Sequence, residues 1–187
     1  MKHRTSMTMV TRAAALSALG MFSLAECVWG QSNCKDVKAD FSLTVPPGQA
    51  PKVAVGTVTN GGDLNGTITL TDSVSVGSPT PDPFVVSYTQ DVIITTNEGQ
   101  LTATSLQAFD FFHLIFSVPP FGLNSGIQRI GPTSARTGSA TSTGRFAGAT
   151  GYYFLTAVAT PANGGAFTGQ GQITGRICYA GTGANQH

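Results

Sequence analysis

Charged side chains are scarce in this chain. Asp, Glu, Lys and Arg make up 10% of the 187 residues, whereas about 25% is usual for soluble globular proteins. The formal net charge is +1 and no block of lysine and arginine occurs, so the sequence lacks the basic footprint of a nucleic-acid-binding protein. Since exposed helix faces normally carry charges, the scarcity also argues against a helical fold.

Metal-binding and catalytic residue types are equally sparse. The chain has three histidines and three cysteines, and they do not cluster at the spacings typical of metal sites. No nucleophile stands near a histidine and an acid in a pattern that would predict a catalytic triad. The sequence therefore predicts no metal and no cofactor, and it favours a non-catalytic protein.

What the chain has instead is glycine, proline, serine and threonine arranged with a period of two residues. Glycine and proline together occupy 33 positions, which favours many short strands joined by turns. The alternation predicts eight strands, over 40–45, 53–59, 66–76, 84–96, 100–105, 109–118, 152–160 and 167–177. Turns are predicted between them, for example at Asn60-Gly-Gly-Asp63, Asn97-Glu-Gly99, Asn124-Ser-Gly126 and Asn163-Gly-Gly165.

These strands predict an all-β fold without crossover helices. An antiparallel eight-stranded β-barrel is the favoured architecture, because closure removes the exposed edges of a sheet with few charges. A β-sandwich is the alternative. Residues 31–187 would form this single domain.

The first thirty residues have the composition of a secretory signal peptide. Basic residues precede the apolar run Ala13 to Ala25, which is too short for a membrane span of about 20 residues. Cleavage after Ala25 and cleavage after Gly30 are both compatible with the small residues there. The sequence thus predicts a secreted or periplasmic protein with no membrane span.

Two cysteines lie near the ends of the predicted domain. Cys34 and Cys178 would remain after the later cleavage, and an oxidising compartment favours a disulfide between them over two unrelated buried thiols. The bridge would close a loop of more than a hundred residues, for which the chain-entropy limit is about 4 to 5 kcal/mol.

A glycine-rich stretch at 143–151 invites a phosphate-binding interpretation, which its details contradict. Gly144, Gly148 and Gly151 lack the G-x-G-x-x-G spacing, no lysine follows them, and strand-like residues come next. We therefore predict a compact turn that packs under the barrel, with Phe146 pointing inward and Arg145 free to hydrogen-bond carbonyl groups.

This stretch carries a family resemblance. Thr143-Gly-Arg-Phe-Ala-Gly-Ala-Thr-Gly151, the ending Gly175-Arg-Ile-Cys-Tyr179 and the earlier Thr95-Thr-Asn-Glu-Gly-Gln-Leu101 resemble secreted bacterial proteins of the allene oxide cyclase and dirigent-like barrel superfamily. The resemblance covers about the second half of the chain. It implies an eight-stranded barrel, often trimeric, whose interior holds a small hydrophobic ligand. Plant members cyclise a fatty-acid epoxide or steer the coupling of phenoxy radicals, but none of their functional residues matches a position here.

Three polar residues fall in the apolar phase of predicted strands. Asp72 follows Ile68 and Leu70, while Tyr88 and Gln90 share a face with other apolar residues of their strand. One hypothesis places all three in a ligand cavity. The alternative for Asp72 is a bulge after Thr71 that turns it outward.

The predicted strand Phe109 to Val118 is apolar on both faces, which predicts a homo-oligomer contact there.

Two candidate functions follow from the sequence observations. The first is a secreted binding or structural module that holds a small hydrophobic ligand. The second is a cofactor-free cyclase, isomerase or coupling-guide protein that acts by positioning its substrate in the barrel.

Overall fold

The structure is a computed structural model that describes residues 33–48, 53–77, 81–110, 122–134 and 139–180. These residues form eight strands, which are β1 (Asn33–Val45), β2 (Ala54–Thr59), β3 (Gly66–Gly77), β4 (Val85–Thr96), β5 (Gly99–Asp110), β6 (Leu123–Ile130), β7 (Thr150–Pro161) and β8 (Phe167–Tyr179). Three single 3-10 turns lie at Gly62–Leu64, Gly144–Phe146 and Asn163–Gly165.

The strands form a closed antiparallel barrel in which each strand pairs with its neighbours in sequence and β8 pairs with β1. The predicted fold is therefore confirmed, and the sandwich is excluded. The closing ladder runs along the whole of β1, from Asn33 opposite Tyr179 to Val45 opposite Phe167. Closure leaves the polar backbone groups of the first and last strands paired.

The core fills the barrel with alternate side chains, as the period of two predicts. Ile173 and Ile177 of β8 are buried, as are Val92 and Ile94 of β4. The complete buried apolar cluster also includes Phe41, Leu64, Ile68, Leu101, Phe146 and Leu155.

Besides strand ends such as the start of β1, a predicted turn and a predicted strand differ from the structure. The predicted turn Asn124-Ser-Gly126 is wrong, because these residues lie inside β6. Of the predicted strand 109–118, Phe109 and Asp110 belong to β5, and residues 111–121 lie outside the described part of the chain.

The pairing of β3 with β4 shifts register between Thr71 and Val74. Such a shift marks a β-bulge, which moves the following residues to the opposite face of the strand. Val74 and Val76 are accordingly 37% and 56% exposed, whereas Ile68 and Leu70 are buried. A strict period of two over 66–76 would place all four on one face, and the bulge interrupts that period.

Candidate functional site

One end of the barrel interior holds a cavity of about 100 Å³. Its walls come from the end of β1, the start of β2, the middle of β3 and β4, the end of β5, the start of β6, the end of β7 and the start of β8. Its apolar lining includes Leu43, Leu70, Phe109 and Phe167. Its polar side chains are Tyr88, Gln90, Asn124 and Thr168, so the lining residues that the structure describes carry no charge.

The polar side chains of this wall form a connected hydrogen-bond network. Asn124 Nδ2 donates to the Tyr88 hydroxyl at 2.8 Å, and that hydroxyl donates to Gln107 Oε1 at 3.1 Å. Gln107 Nε2 donates to Gln90 Oε1 at 3.0 Å and to Ser105 Oγ at 3.2 Å. A buried polar group that loses its partner pays the cost of desolvation. These hydrogen bonds therefore hold the side chains of Tyr88 and Gln90 in place.

Burial changes the acid–base chemistry of Tyr88. Desolvation raises the pKa of its hydroxyl to about 12, although the hydrogen bond from Asn124 acts in the opposite direction. Removing water disfavours the charged phenolate. Tyr88 therefore stays neutral at physiological pH and serves the cavity as a hydrogen-bonding group.

Among the described residues, the polar side chains that face the barrel interior lie on one half of the wall, apart from Tyr179 of β8. They belong to β4, β5, β6 and β7, and comprise the buried Tyr88, Gln90, Ser105, Gln107, Gln128 and Tyr153 and the half-buried Asn124. The other half, from β8 through β1 and β2 to β3, presents apolar residues such as Ile173, Phe41 and Leu70. The interior is thus two-sided, and a molecule held in it meets amide and hydroxyl groups on one side only.

Three buried polar residues of this wall keep unused hydrogen-bonding capacity. Within the described residues, no partner is found for Asn124 Oδ1, for either amide atom of Gln128, or for the Tyr153 hydroxyl. Gln128 and Tyr153 are paired directly across β6 and β7. Burial raises the pKa of the Tyr153 hydroxyl well above its usual range.

The opposite end of the barrel is filled by the glycine-rich turn. Phe146 is completely buried and its ring lies 5.9 Å from that of Tyr179, as predicted for an inward anchor. Gly144 and Gly148 have φ values of +58° and +69°, where glycine is favoured. This turn begins no α-helix, since it is a single 3-10 turn followed by β7.

Arg145 does not bind carbonyl groups as predicted, because it pairs with carboxylates instead. Its guanidinium contacts Asp63 at 2.6 Å and Glu98 at 2.7 Å, and it lies over the Tyr179 ring at 5.2 Å. A planar guanidinium suits such simultaneous contacts. Arg145 thereby ties the β2–β3 and β4–β5 connections to the turn before β7.

Two of the three stretches that carry the family resemblance, 95–101 and 143–151, meet at this filled end. Arg145 N donates to Glu98 O at 2.9 Å, and Thr143 N donates to Gln100 O at 2.9 Å. A Cβ on Gly144 would lie 2.1 Å from Glu98 O, and one on Gly99 would lie 2.3 Å from Thr143 O. Both glycines are thus required for the close backbone approach, and the motif serves packing here.

Of the three residues predicted to share a cavity, the structure brings two together. Tyr88 and Gln90 line it and are linked through Gln107. The backbone of Asp72 lies at the register shift in β3, and its side chain is outside the part that the structure describes. Gly151, the last glycine of the motif, is the second residue of β7 and has a φ of +129°.

Sequence reasoning missed Asn124, Gln107 and Gln128. In β6 the inward positions carry Asn124, Gly126 and Gln128, while the exposed positions carry Leu123 and Ile127. The large apolar side chains of this strand thus include outward ones and the polar ones include inward ones, the reverse of the usual pattern. An Asn-Ser-Gly sequence is also typical of a turn. No regular alternation of apolar and polar residues over Leu123–Ile130 signals this strand, because the outward positions also carry Ser125 and Arg129.

The described residues include no group of three or more His, Cys, Asp or Glu side chains that could bind a metal ion. In the same ranges no helix has the length and apolarity needed to cross a membrane. Comparisons with protein-family models, curated proteins and solved structures gave no match. The family resemblance and the predicted oligomer contact therefore stay predictions.

Proposed function

We propose that this protein is an exported, non-catalytic β-barrel. It binds a small hydrophobic molecule in the cavity at one end of its interior. The observation that carries the proposal is the two-sided cavity, in which apolar residues face a fixed row of neutral hydrogen-bonding groups. Mostly apolar pockets with a few convergent polar groups are typical of small-molecule sites.

The volume of the cavity limits the size of the ligand groups that fit inside it. Its volume of about 100 Å³ is below that of the cavity of about 150 Å³ that admits benzene in an engineered protein. A short aliphatic segment therefore fits without displacement of side chains, whereas a single aromatic ring fits with part of it in the mouth of the cavity, between Val45 and Phe167. The remainder of a larger ligand would extend past Val45 and Phe167 at the end of the barrel.

The polar groups of the lining favour binding over catalysis. Within the described part of the lining the titratable side chain is Tyr88, whose raised pKa keeps the hydroxyl protonated, so these residues supply no general base at physiological pH. A cyclase, isomerase or coupling-guide role would have to act by positioning alone. This role is the second candidate, because the two-sided wall also orients whatever it holds.

The cellular location is part of the proposal. A disulfide between Cys34 and Cys178 is stable in oxidising compartments and rare in the cytosol. The N-terminal basic and apolar segment adds to this support. We therefore place the protein outside the cytoplasm.

The test is capture of ligands from lipid and phenolic extracts, followed by native mass spectrometry. A Cβ at Gly169 would meet Leu43 Cβ at 3.7 Å and no closer atom, so Gly169→Leu fills the cavity without a backbone clash. Gln170→Leu adds a similar side chain to the exposed face of the same strand and is the matched control. We expect capture by the wild type and the control and its loss in Gly169→Leu. Absence of any captured molecule, or equal capture by Gly169→Leu, would overturn the proposal.

A further inference from the structure

The cavity wall contains one hydrogen-bond acceptor whose partner is missing among the described residues. Asn124 lines the cavity, and its Nδ2 is used by Tyr88, but its Oδ1 is buried with no donor to it. A buried acceptor without a donor destabilises the empty site by the cost of its desolvation. A ligand that donates a hydrogen bond there would remove this cost.

The rest of the polar lining is already engaged. The Tyr88 hydroxyl both accepts from Asn124 and donates to Gln107, and Gln90 Oε1 accepts from Gln107. A ligand that offers a donor would compete with none of these internal bonds at Asn124 Oδ1.

Charge gives a second, independent restriction. Among the residues that the structure describes, those around the cavity include no lysine, arginine or histidine. A carboxylate entering this space would lose its hydration without gaining a counter-charge, which is costly at low dielectric. It would also face the Asn124 carbonyl oxygen, whose dipole repels it.

From these two restrictions we infer that the ligand is a neutral alcohol, which donates its hydroxyl proton to Asn124 Oδ1 and packs its hydrocarbon part against Leu43, Leu70 and the neighbouring apolar wall. This inference rests on the proposed binding function and narrows it to one class of ligand. It excludes fatty acids and other anions as the preferred occupants.

The test compares three small probes that share an aromatic ring: benzyl alcohol, its hydrocarbon isostere ethylbenzene, and benzoate. Calorimetry at neutral pH should show benzyl alcohol binding about tenfold more tightly than ethylbenzene, as expected for one buried hydrogen bond gained. Benzoate should bind at least about tenfold more weakly than the alcohol. In Asn124→Leu the preference for the alcohol over the hydrocarbon should disappear. Because this ratio is measured within one variant, a general change in the packing of the site cancels.

The outcomes separate this inference from the binding proposal. Equal binding of benzyl alcohol and ethylbenzene would overturn the inference alone, and this would also be the result if a retained water already satisfied Asn124 Oδ1. A preference for benzoate, or an unchanged ratio in Asn124→Leu, would overturn it as well. Failure of all three probes to bind, together with no capture from extracts, would overturn the binding function itself.

Discussion

Cys34 lies directly opposite Cys178 in the ladder that closes the barrel, and the two residues form a disulfide. The bridge thus joins the first and last strands at their outer ends, over a sequence separation of 144 residues. The predicted pairing is confirmed. The disulfide and the β1–β8 hydrogen bonds therefore join the same two strands, at the place where the barrel closes.

Replacing both cysteines in Cys34→Ser/Cys178→Ser should lower the free energy of unfolding by about 2 to 5 kcal/mol. The bridge restricts the unfolded chain over a long loop, while the β1–β8 ladder extends along all of β1 and should keep the barrel closed. Denaturant unfolding measures the loss, and circular dichroism should show unchanged strand content. The double variant should not respond to reductant, whereas the wild type should lose a similar amount. A reductant effect in the variant, or none in the wild type, would contradict the assignment.

Two glycines on the inward face of β8 should respond in opposite ways to alanine. A Cβ on Gly169 meets only Leu43 Cβ at 3.7 Å, whereas one on Gly171 would lie 1.8 Å from Thr156 O. Gly169→Ala should stabilise by about 0.5 to 1 kcal/mol, because it restricts the unfolded chain. Gly171→Ala should destabilise by about 2 to 3 kcal/mol, because β7 must move. Denaturant midpoints of the two variants check this, and similar effects at both sites would refute the assigned packing.

The barrel itself was predictable because its strands alternate between the core and the solvent. In β8, Ile173 and Ile177 alternate with exposed Gln172 and Arg176, and such alternation marks a strand with one buried face. The turn residues between strands then specify an antiparallel order. Closure followed from the need to pair edges in a chain with few charges.

Other parts of the fold could not be predicted, because their local sequence does not match the environment that they have in the barrel. The first half of β1 carries Lys35, Asp36 and Lys38, which are uncommon in strands, yet it pairs with β8. The inverted polarity of β6 hid Asn124 for the reason given above. Both cases depend on long-range pairing, which no local window contains.

Phe146 should contribute far more to stability than Phe154. Phe146 is completely buried beneath the barrel, while Phe154 is 52% exposed on β7. Phe146→Ala should cost about 3 to 5 kcal/mol through the lost burial and the cavity left behind. Phe154→Ala should cost less than about 1 kcal/mol. Thermal and denaturant unfolding measure both, and comparable losses would mean that the glycine-rich turn is not an anchor.

Removing the hydroxyl from each of two buried tyrosines should have different effects. Tyr88→Phe leaves Asn124 Nδ2 and Gln107 Oε1 without their partner, so we expect a loss of about 1 to 3 kcal/mol. Among the described residues the Tyr153 hydroxyl has no partner, so Tyr153→Phe should be neutral or stabilise by up to about 1 kcal/mol. Denaturant unfolding compares the variants. A large loss in Tyr153→Phe would reveal a hydrogen-bonded water at that hydroxyl.

The raised pKa of Tyr88 predicts how stability changes in alkaline solution. The ordinary tyrosine pKa is about 10 in the unfolded chain, and desolvation raises the pKa of Tyr88 in the folded barrel to about 12. Below about pH 10 the hydroxyl is protonated in both states, so the native state keeps its full stability. Between about pH 10 and pH 12 the unfolded state loses its proton first, which favours unfolding, and by about pH 11 this lowers the free energy of unfolding by about 1 kcal/mol.

Tyr88→Phe isolates this contribution, because burial also raises the pKa of Tyr153 and makes the wild type lose stability from both residues. The variant should start less stable near neutral pH, for the hydrogen-bonding reason given above, and should then lose about 1 kcal/mol less than the wild type on going to about pH 11. Chemical unfolding curves recorded at the two pH values, with brief alkaline exposure, provide the comparison. If the wild type and the variant lost the same free energy of unfolding, the Tyr88 hydroxyl would have to titrate as it does in water. Its burial in the polar wall of the cavity would then be wrong.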